Sequence, residues 1–161
     1  MDDENRHFGM GDSDQLADFL PYQLSVTSNA VSSLIAERYQ ARFGLKITEW
    51  RVMAILGDVG AATQRKLTEA TLMDKVAVNR ACKVLADRSL IAREPNTRDG
   101  RSHLLDLTDE GRTIHREVMP LAKAIEAEVF AAIEPQERTL LRSVLQRVFD
   151  QANRIDRTAR G

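Results

Sequence analysis

Residues 96–111 read Asn96-Thr97-Arg98-Asp99-Gly100-Arg101-Ser102-His103-Leu104-Leu105-Asp106-Leu107-Thr108-Asp109-Glu110-Gly111. The polar tip, 96–102, stands between two runs with strand character, Ile91 to Glu94 and His103 to Leu107. Asp99-Gly100 is a hairpin-turn dipeptide, because both residues tolerate positive φ. Arg98, Asp99 and Arg101 cluster on a tip too polar and too short to pack into a core. A hairpin that holds out arginines is suited to the narrow minor groove of DNA, where negative potential is strongest. Asp99 between two arginines is a poor phosphate ligand. It reads instead as a group that orients Arg101 through a bidentate carboxylate–guanidinium pair.

Immediately upstream lie two short helices joined by a tight turn. Thr63 caps the first, which runs to about Thr71, and Asp74 caps the second, from Lys75 to about Arg88. Their lengths and order are those of a helix-turn-helix. With about 100° between successive residues, Val78, Cys82 and Leu85 fall on one side of the second helix, with Ala81 adjacent. Val76, Asn79, Arg80 and Lys83 fall on the other. Asparagine pairs with adenine and arginine with guanine through two hydrogen bonds each, so this polar face suits a major groove. Lys75, Gln64 and Arg65 lie in first turns, where a phosphate backbone passes. The segment 63–103 holds nine Lys/Arg against five Asp/Glu, inside a chain of net charge −1. A basic middle in an acidic whole fits nucleic acid, although a local fluctuation on a mixed surface gives the same count.

Working outward, residues 1–13 read as a disordered acidic tail. A helix from about Pro21 to Phe43 carries Leu24, Val31, Leu34, Ile35 and Tyr39 and ends at Gly44. Thr48 is the expected cap of a helix from Glu49 to about Asp58, bearing Trp50, Met53, Ala54 and Leu56. Downstream, Thr108 caps a helix to about Ile133, bent at Pro120, and Pro135 opens the last one. The fold class is mainly α with a small β-hairpin: a winged helix-turn-helix core flanked by N- and C-terminal dimerisation helices. The expected divisions are 14–45 for the N-terminal dimerisation helix, 46–109 for the DNA-binding lobe and 110–161 for the C-terminal dimerisation helices. Leu24, Val31, Leu140, Leu141, Val144, Leu145 and Val148 are the expected dimer contacts. A homodimer buries these stripes between chains, whereas a monomeric bundle buries them internally; periodicity alone leaves both open.

Composition narrows the function classes. No apolar run approaches the roughly 20 residues of a membrane span, and the acidic start is unlike a signal peptide. The single cysteine, Cys82, excludes an internal disulfide and fits a reducing cytoplasm. His7, His103 and His115 stand apart from any Cys or carboxylate set, and no HExxH or Gly-rich phosphate loop occurs, so neither an enzyme nor a metal or other cofactor is expected. Two rivals stay open: a helical scaffold without a DNA role, and redox sensing through Cys82. The second is weakened by the place of Cys82 on the apolar helix face. Tyr22, Tyr39, Phe43, Trp50, Arg51 and Met53 form a candidate pocket for an aromatic acid, or are simply core and surface residues.

Asp99-Gly100-Arg101 followed by Leu107-Thr108-Asp109-Glu110-Gly111 resembles the wing signature of the MarR family, an Asp-x-Arg, a short strand and then Leu-Thr-x-x-Gly. Thr63, Leu67, Leu72, Asp74-Lys75, Val78, Arg80, Leu85 and Leu90 are similar to that family's helix-turn-helix. Pro135-Gln136-Glu137-Arg138 through Leu141 and Leu145 is similar to its last dimerisation helix. The resemblance spans roughly residues 16–152. It implies a homodimer on double-stranded DNA, a pseudo-palindromic operator, and a repressor released by a small molecule, often an aromatic carboxylate, at the junction of the two lobes. Three departures bear on specificity. Val76-Ala77 replaces a frequent Ser-Thr pair and points to thymine methyl contacts, Ser89 stands at a common glycine position, and Gly100 replaces a frequent arginine.

Overall fold

A computed structural model describes residues 14–159, so the expected acidic tail, 1–13, lies outside the described residues. The elements run α1 (Asp14–Ala17), α2 (Leu20–Phe43), α3 (Ile47–Val59), β1 (Ala62–Thr63), α4 (Gln64–Thr71), α5 (Lys75–Asp87), β2 (Ile91–Pro95), β3 (His103–Leu107), α6 (Asp109–Val129) and α7 (Pro135–Ala159). A short 3-10 turn, Phe130–Ala132, stands between the last two helices. The expected fold, mainly helical around a small sheet, is the observed one. The sheet has three antiparallel strands in the order β1-β3-β2, one more than expected. Two residues are too short for an alternation to register. Ala62 and Thr63 form a strand only because Leu105 and Leu104 offer them an edge.

The caps follow side-chain chemistry. The Thr63 hydroxyl accepts the Lys66 N–H (3.2 Å), and the Asp74 carboxylate accepts the Ala77 N–H (2.8 Å), each satisfying an otherwise orphaned amide. Gly44 ends α2 in the left-handed region (φ 62°). The start of α3 departs from expectation: it opens at Ile47, with Lys46 rather than Thr48 in the capping position. The buried Glu49 carboxylate reaches back to accept the Lys46 N–H (2.9 Å), drawing the helix start upstream. The sequence from Glu110 onward continues as helix through Pro120, but α6 ends at Val129 and not at Ile133.

The chain forms two compact units, residues 1–122 and 123–161, with the boundary inside α6. In the first, Leu45, just ahead of α3, and Val52, Met53 and Leu56 of α3 meet Leu67, Val78 and Leu85 of the helix-turn-helix, all fully buried. Leu90, Ile91, Leu105 and Leu107 seat the sheet on the same core, and Val118 of α6 completes it. This unit extends past residue 109 because Ile114, Val118 and Met119 pack on that core. The second unit contains the end of α6 and all of α7. There Leu140, Leu141, Leu145, Val148, Phe149 and Ile155 remain exposed in the single chain. Among the described residues, no helix is long and apolar enough to cross a membrane.

Candidate nucleic-acid interface

Helix α5 divides as its sequence requires. Val78, Ala81, Cys82 and Leu85 are buried, while Lys75, Val76, Asn79, Arg80 and Lys83 are exposed and Ala77 is half-buried. Val76, 65% exposed, leaves an apolar side chain in water on this polar face. Lys83 forms an i,i+4 pair with Asp87 (2.7 Å). The Gln64 amide donates to the Asn79 amide oxygen, which ties the first residue of α4 to the exposed face of α5. Sequence reasoning placed Gln64 and Asn79 in separate roles, and nothing in either residue's local context announced the pair. Between the two helices, Leu72 holds a left-handed conformation (φ 54°) and is exposed, whereas Leu67 fills the core.

The wing tip departs from the expected turn. Positive φ among the described residues occurs at Gly44, Gly60, Leu72 and Ser89, and neither Asp99 nor Gly100 adopts it. The strands end at Pro95 and His103, too far apart for a two-residue hairpin turn. The tip is instead two successive turns, closed by the Asp99 N–H on the Asn96 carbonyl (3.2 Å) and the Ser102 N–H on the Asp99 carbonyl (3.0 Å). Asn96 donates from its side chain to the Ser102 hydroxyl (2.9 Å) and accepts the Arg98 N–H (3.1 Å). The expected Asp99–Arg101 ion pair is corrected here. The Asp99 carboxylate accepts the Arg101 backbone N–H (3.2 Å), and among the described residues no ion pair joins the two side chains. Asp99 therefore shapes the turn, which leaves the exposed Arg98 and Arg101 guanidinium groups to solvent.

The root of the wing is fastened by the Leu107–Gly111 stretch. The Leu90 carbonyl accepts the Thr108 N–H (3.1 Å), the Ser89 carbonyl accepts the Thr108 hydroxyl (2.7 Å), and that hydroxyl accepts the Gly111 N–H (3.0 Å). A Cβ on Gly111 would overlap the Leu90 carbonyl oxygen, so only glycine lets α6 start this close to the end of α5. At that end the Arg88 guanidinium donates to the carbonyls of Phe43 (2.6 Å) and Gly44 (3.2 Å), a positive charge on the C-terminus of α2. A cavity of about 530 Å³ lies between the first turn of α4 and the hairpin, with Gln64, Arg65 and Arg101 among its walls. Exposed polar groups thus run without a break from Arg101 through Gln64 to Asn79.

That arrangement is a winged helix-turn-helix, and the comparisons agree with it. The model of the MarR family matches residues 43–102. YdgJ of Bacillus subtilis strain 168, an uncharacterised helix-turn-helix-type transcriptional regulator, is 27% identical over 135 residues, 84% of this chain and 80% of its own. The structure of a MarR-family transcriptional regulator from Silicibacter pomeroyi superposes with a TM-score of 0.77 at 25% identity, covering 91% of this chain and 97% of that one. Over residues 43–102, which hold the helix-turn-helix and most of the wing, the chain is similar to the MarR family. A further structural relative is Bordetella bronchiseptica BpsR, whose DNA binding is regulated by 6-hydroxynicotinic acid. It matches with a TM-score of 0.75 at 24% identity over 83% of this chain and 95% of that one. The relatives that share this fold are helix-turn-helix transcriptional regulators, and one of them has ligand-regulated DNA binding.

Of the six aromatic-pocket candidates, Tyr39, Phe43, Trp50 and Met53 share one core, and Tyr22 stands apart from them. Tyr22 and Tyr39 sit on one continuous helix, and 17 intervening steps at 1.5 Å each hold them about 25 Å apart. Tyr39, Trp50 and Met53 are buried in the core, Phe43 packs against it, and Arg51 is exposed. Tyr39 and Trp50 meet at 5.7 Å between ring centroids, and Trp50 stacks on His115 at 5.6 Å. Burial pushes the Tyr39 phenol up to about 12, against the opposing pull of Arg51. Nothing among the sequence neighbours of His115 marks it as a partner of Trp50. Burial also pushes the Cys82 thiol up to about 11, although Arg93 pulls the other way. A thiol kept protonated at neutral pH and shut into the core is poorly placed for redox sensing.

Proposed function

We propose that this regulator works as a homodimer in the cytoplasm and represses from a pseudo-palindromic operator. Asn79, Arg80 and Lys83 read base edges in the major groove, Val76 and Ala77 touch thymine methyl groups, and Arg101, helped by Arg98, enters the flanking minor groove. Gln64, Arg65 and Lys75 hold phosphates, and Asp99 sets the tip that carries the arginines. In this reading residues 14–45 and 110–161 supply the dimerisation helices around the 46–109 lobe, through Leu24, Val31, Leu140, Leu141, Val144, Leu145 and Val148. The observation that carries the reading is the Gln64–Asn79 hydrogen bond beside a cavity walled by Gln64, Arg65 and Arg101. It makes wing and recognition helix one surface, as simultaneous engagement of two adjacent grooves requires.

Release by a small molecule is the second part of the proposal. The named ligand of BpsR, an aromatic acid, supports the same class of effector here. Of the candidate residues Tyr22, Tyr39, Phe43, Trp50, Arg51 and Met53, four lie in or on one core with Arg51 exposed on the same helix as Trp50, so the effector works through a site at the edge of that core or through a rearrangement of it.

The deciding experiment is operator selection from a random duplex library, followed by binding of the selected site at two salt concentrations. An inverted repeat with half-sites about one helical turn apart is the expected product. Arg80→Ala should then lose preference for the selected site, while Lys75→Ala should lose affinity equally on selected and random DNA. No enrichment and no salt-dependent binding to bulk DNA would leave the fold without the proposed activity.

A further inference from the structure

The two faces of the hairpin differ in charge. Antiparallel partners share a face, and the register pairs Arg93 with Leu105 and Pro95 with His103. On that face Ile91, Leu105 and Leu107 are buried, whereas Arg93, directly across from Leu105, and His103, nearer the tip, stand exposed toward the outer half. Glu94 and Asp106 lie on the opposite face, where Asp106 pairs with Arg112 (2.8 Å). The cationic outer half forms one wall of the cavity of about 530 Å³, opposite Thr63 and Arg65 in the first turn of α4, with Arg101 and Ser102 at its rim. Asp99 is its one carboxylate, already accepting the Arg101 amide. Among the described residues, Arg93 and Arg101 have no ion-pair partner. Among the described residues, Arg65 has a long, exposed pairing with Glu69 (3.7 Å).

We propose that this cavity seats a DNA backbone phosphate, held by Arg93 and His103, on the strand that passes between the recognition helix and the wing. Convergent guanidinium groups, an imidazole and hydroxyls around a polar cavity match the tetrahedral oxyanion better than a base edge, which needs a planar fork of donors and acceptors. The position also fits. Gln64 lines the cavity and bonds to Asn79 on the base-reading helix, so a strand contacted at one lies against the other. The inference rests on the DNA-binding reading of this surface, but it makes no use of sequence selectivity. Its consequence is that Arg93 and His103 set affinity and register and carry no base preference.

The test uses the full chain and an arbitrary duplex, so it does not depend on knowing the operator. Binding is followed by fluorescence anisotropy across a salt series for the parent protein, Arg93→Ala, Arg93→Lys and His103→Ala. Each phosphate contact contributes about 0.9 to the slope of log K against log salt, so Arg93→Ala, which removes one contact from each half of the proposed dimer, should flatten that slope by about two units. Arg93→Lys should retain most of it, because a point charge still serves a phosphate. The loss in Arg93→Ala should be equal on random duplex and on a selected operator. A parent slope that Arg93→Ala leaves unchanged, with the variant's circular dichroism intact, overturns the phosphate seat while leaving the regulator reading in place. A parent protein without salt-dependent binding overturns both. A final arm titrates inorganic phosphate at fixed ionic strength. Saturable binding that Arg93→Ala abolishes, with no change in the DNA slope, would assign the cavity to a free oxyanion and overturn the DNA proposal.

Discussion

Gly111 shows how one residue can carry a fold decision. Its amide caps onto Thr108, and its missing side chain makes room for the Leu90 carbonyl. Gly111→Ala must therefore push α6 away from the end of α5 or strain both, and overpacking of this kind costs about 2–3 kcal/mol. Urea unfolding should show that loss as a lower midpoint with an unchanged slope; a neutral result would mean that the wing root yields easily. The Leu-Thr-x-x-Gly pattern was legible in the chain, but its reason was not, because Leu90 lies outside the motif. Ser89 is similar: a sequence can mark an unusual residue at a glycine position, but only the backbone reveals that it is held at φ 58°. His115 left no legible signal at all. Its ring lies over Trp50 and against Gly57, where a Cβ would overlap it. Burial first, and then the neighbouring Arg116, lower its pKa from the usual value near 6.5. The unfolded chain then takes up the proton before the folded one. Stability is complete above about pH 6.5 and falls as the pH drops from there toward the lower folded value. His115→Phe should keep the stack and remove that part of the acid slope in urea melts between pH 5 and 8. An identical slope in parent and variant would show that the imidazole is equally easy to protonate in both states.

At the scale of elements, periodicity accounts for what could be read and for what could not. The buried and exposed faces of α5 follow from a 3.6-residue repeat, and Val78, Ala81, Cys82 and Leu85 lie where that repeat puts them. The wing needed a second period. Alternation along β2 and β3 sets Arg93 with His103 and Glu94 with Asp106, but which face looks toward α4 depends on β1, a strand that exists only by pairing. Links between elements are the part a linear reading cannot supply, and Gln64 with Asn79 is the functional example. In the free protein Gln64 holds the Asn79 amide in one orientation. Removing it lets that side chain rotate, which costs order and not charge. Gln64→Ala should therefore lower discrimination between a selected operator and a single-base variant opposite Asn79, by up to about tenfold. A bidentate amide contact is worth roughly 1–3 kcal/mol of discrimination, and loss of orientation removes only part of it. The salt slope should stay the same. Discrimination left intact, with affinity lower on every duplex, would leave Gln64 its phosphate contact and no part in orienting Asn79.

For the whole molecule, the exposed apolar side chains of α7 pose the largest physical problem. Leu140 is 62% exposed and Ile155 60%, and Val148, Phe149 and Leu145 each expose more than two-fifths of their surface. Contiguous apolar surface on this scale marks an interaction site more often than a solvated face. A second copy is the economical partner, because a two-fold axis lets one apolar face cover another. If that is right, folding and association are a single equilibrium, and stability depends on protein concentration. The thermal midpoint should rise with concentration for the parent chain. Val148→Glu should abolish that dependence, because an unpaired carboxylate cannot be buried at an apolar contact without a large desolvation cost. Sedimentation should move from two chains toward one in the same variant, and operator affinity should fall far more than affinity for a single half-site. Val148 lies on a helix remote in sequence from Asn79 and Arg101, so an intact half-site interaction would separate lost pairing from lost DNA contact. A parent chain that sediments as a monomer, with a midpoint independent of concentration, would require α7 to be covered in some other way and would remove the physical basis for expecting an inverted repeat.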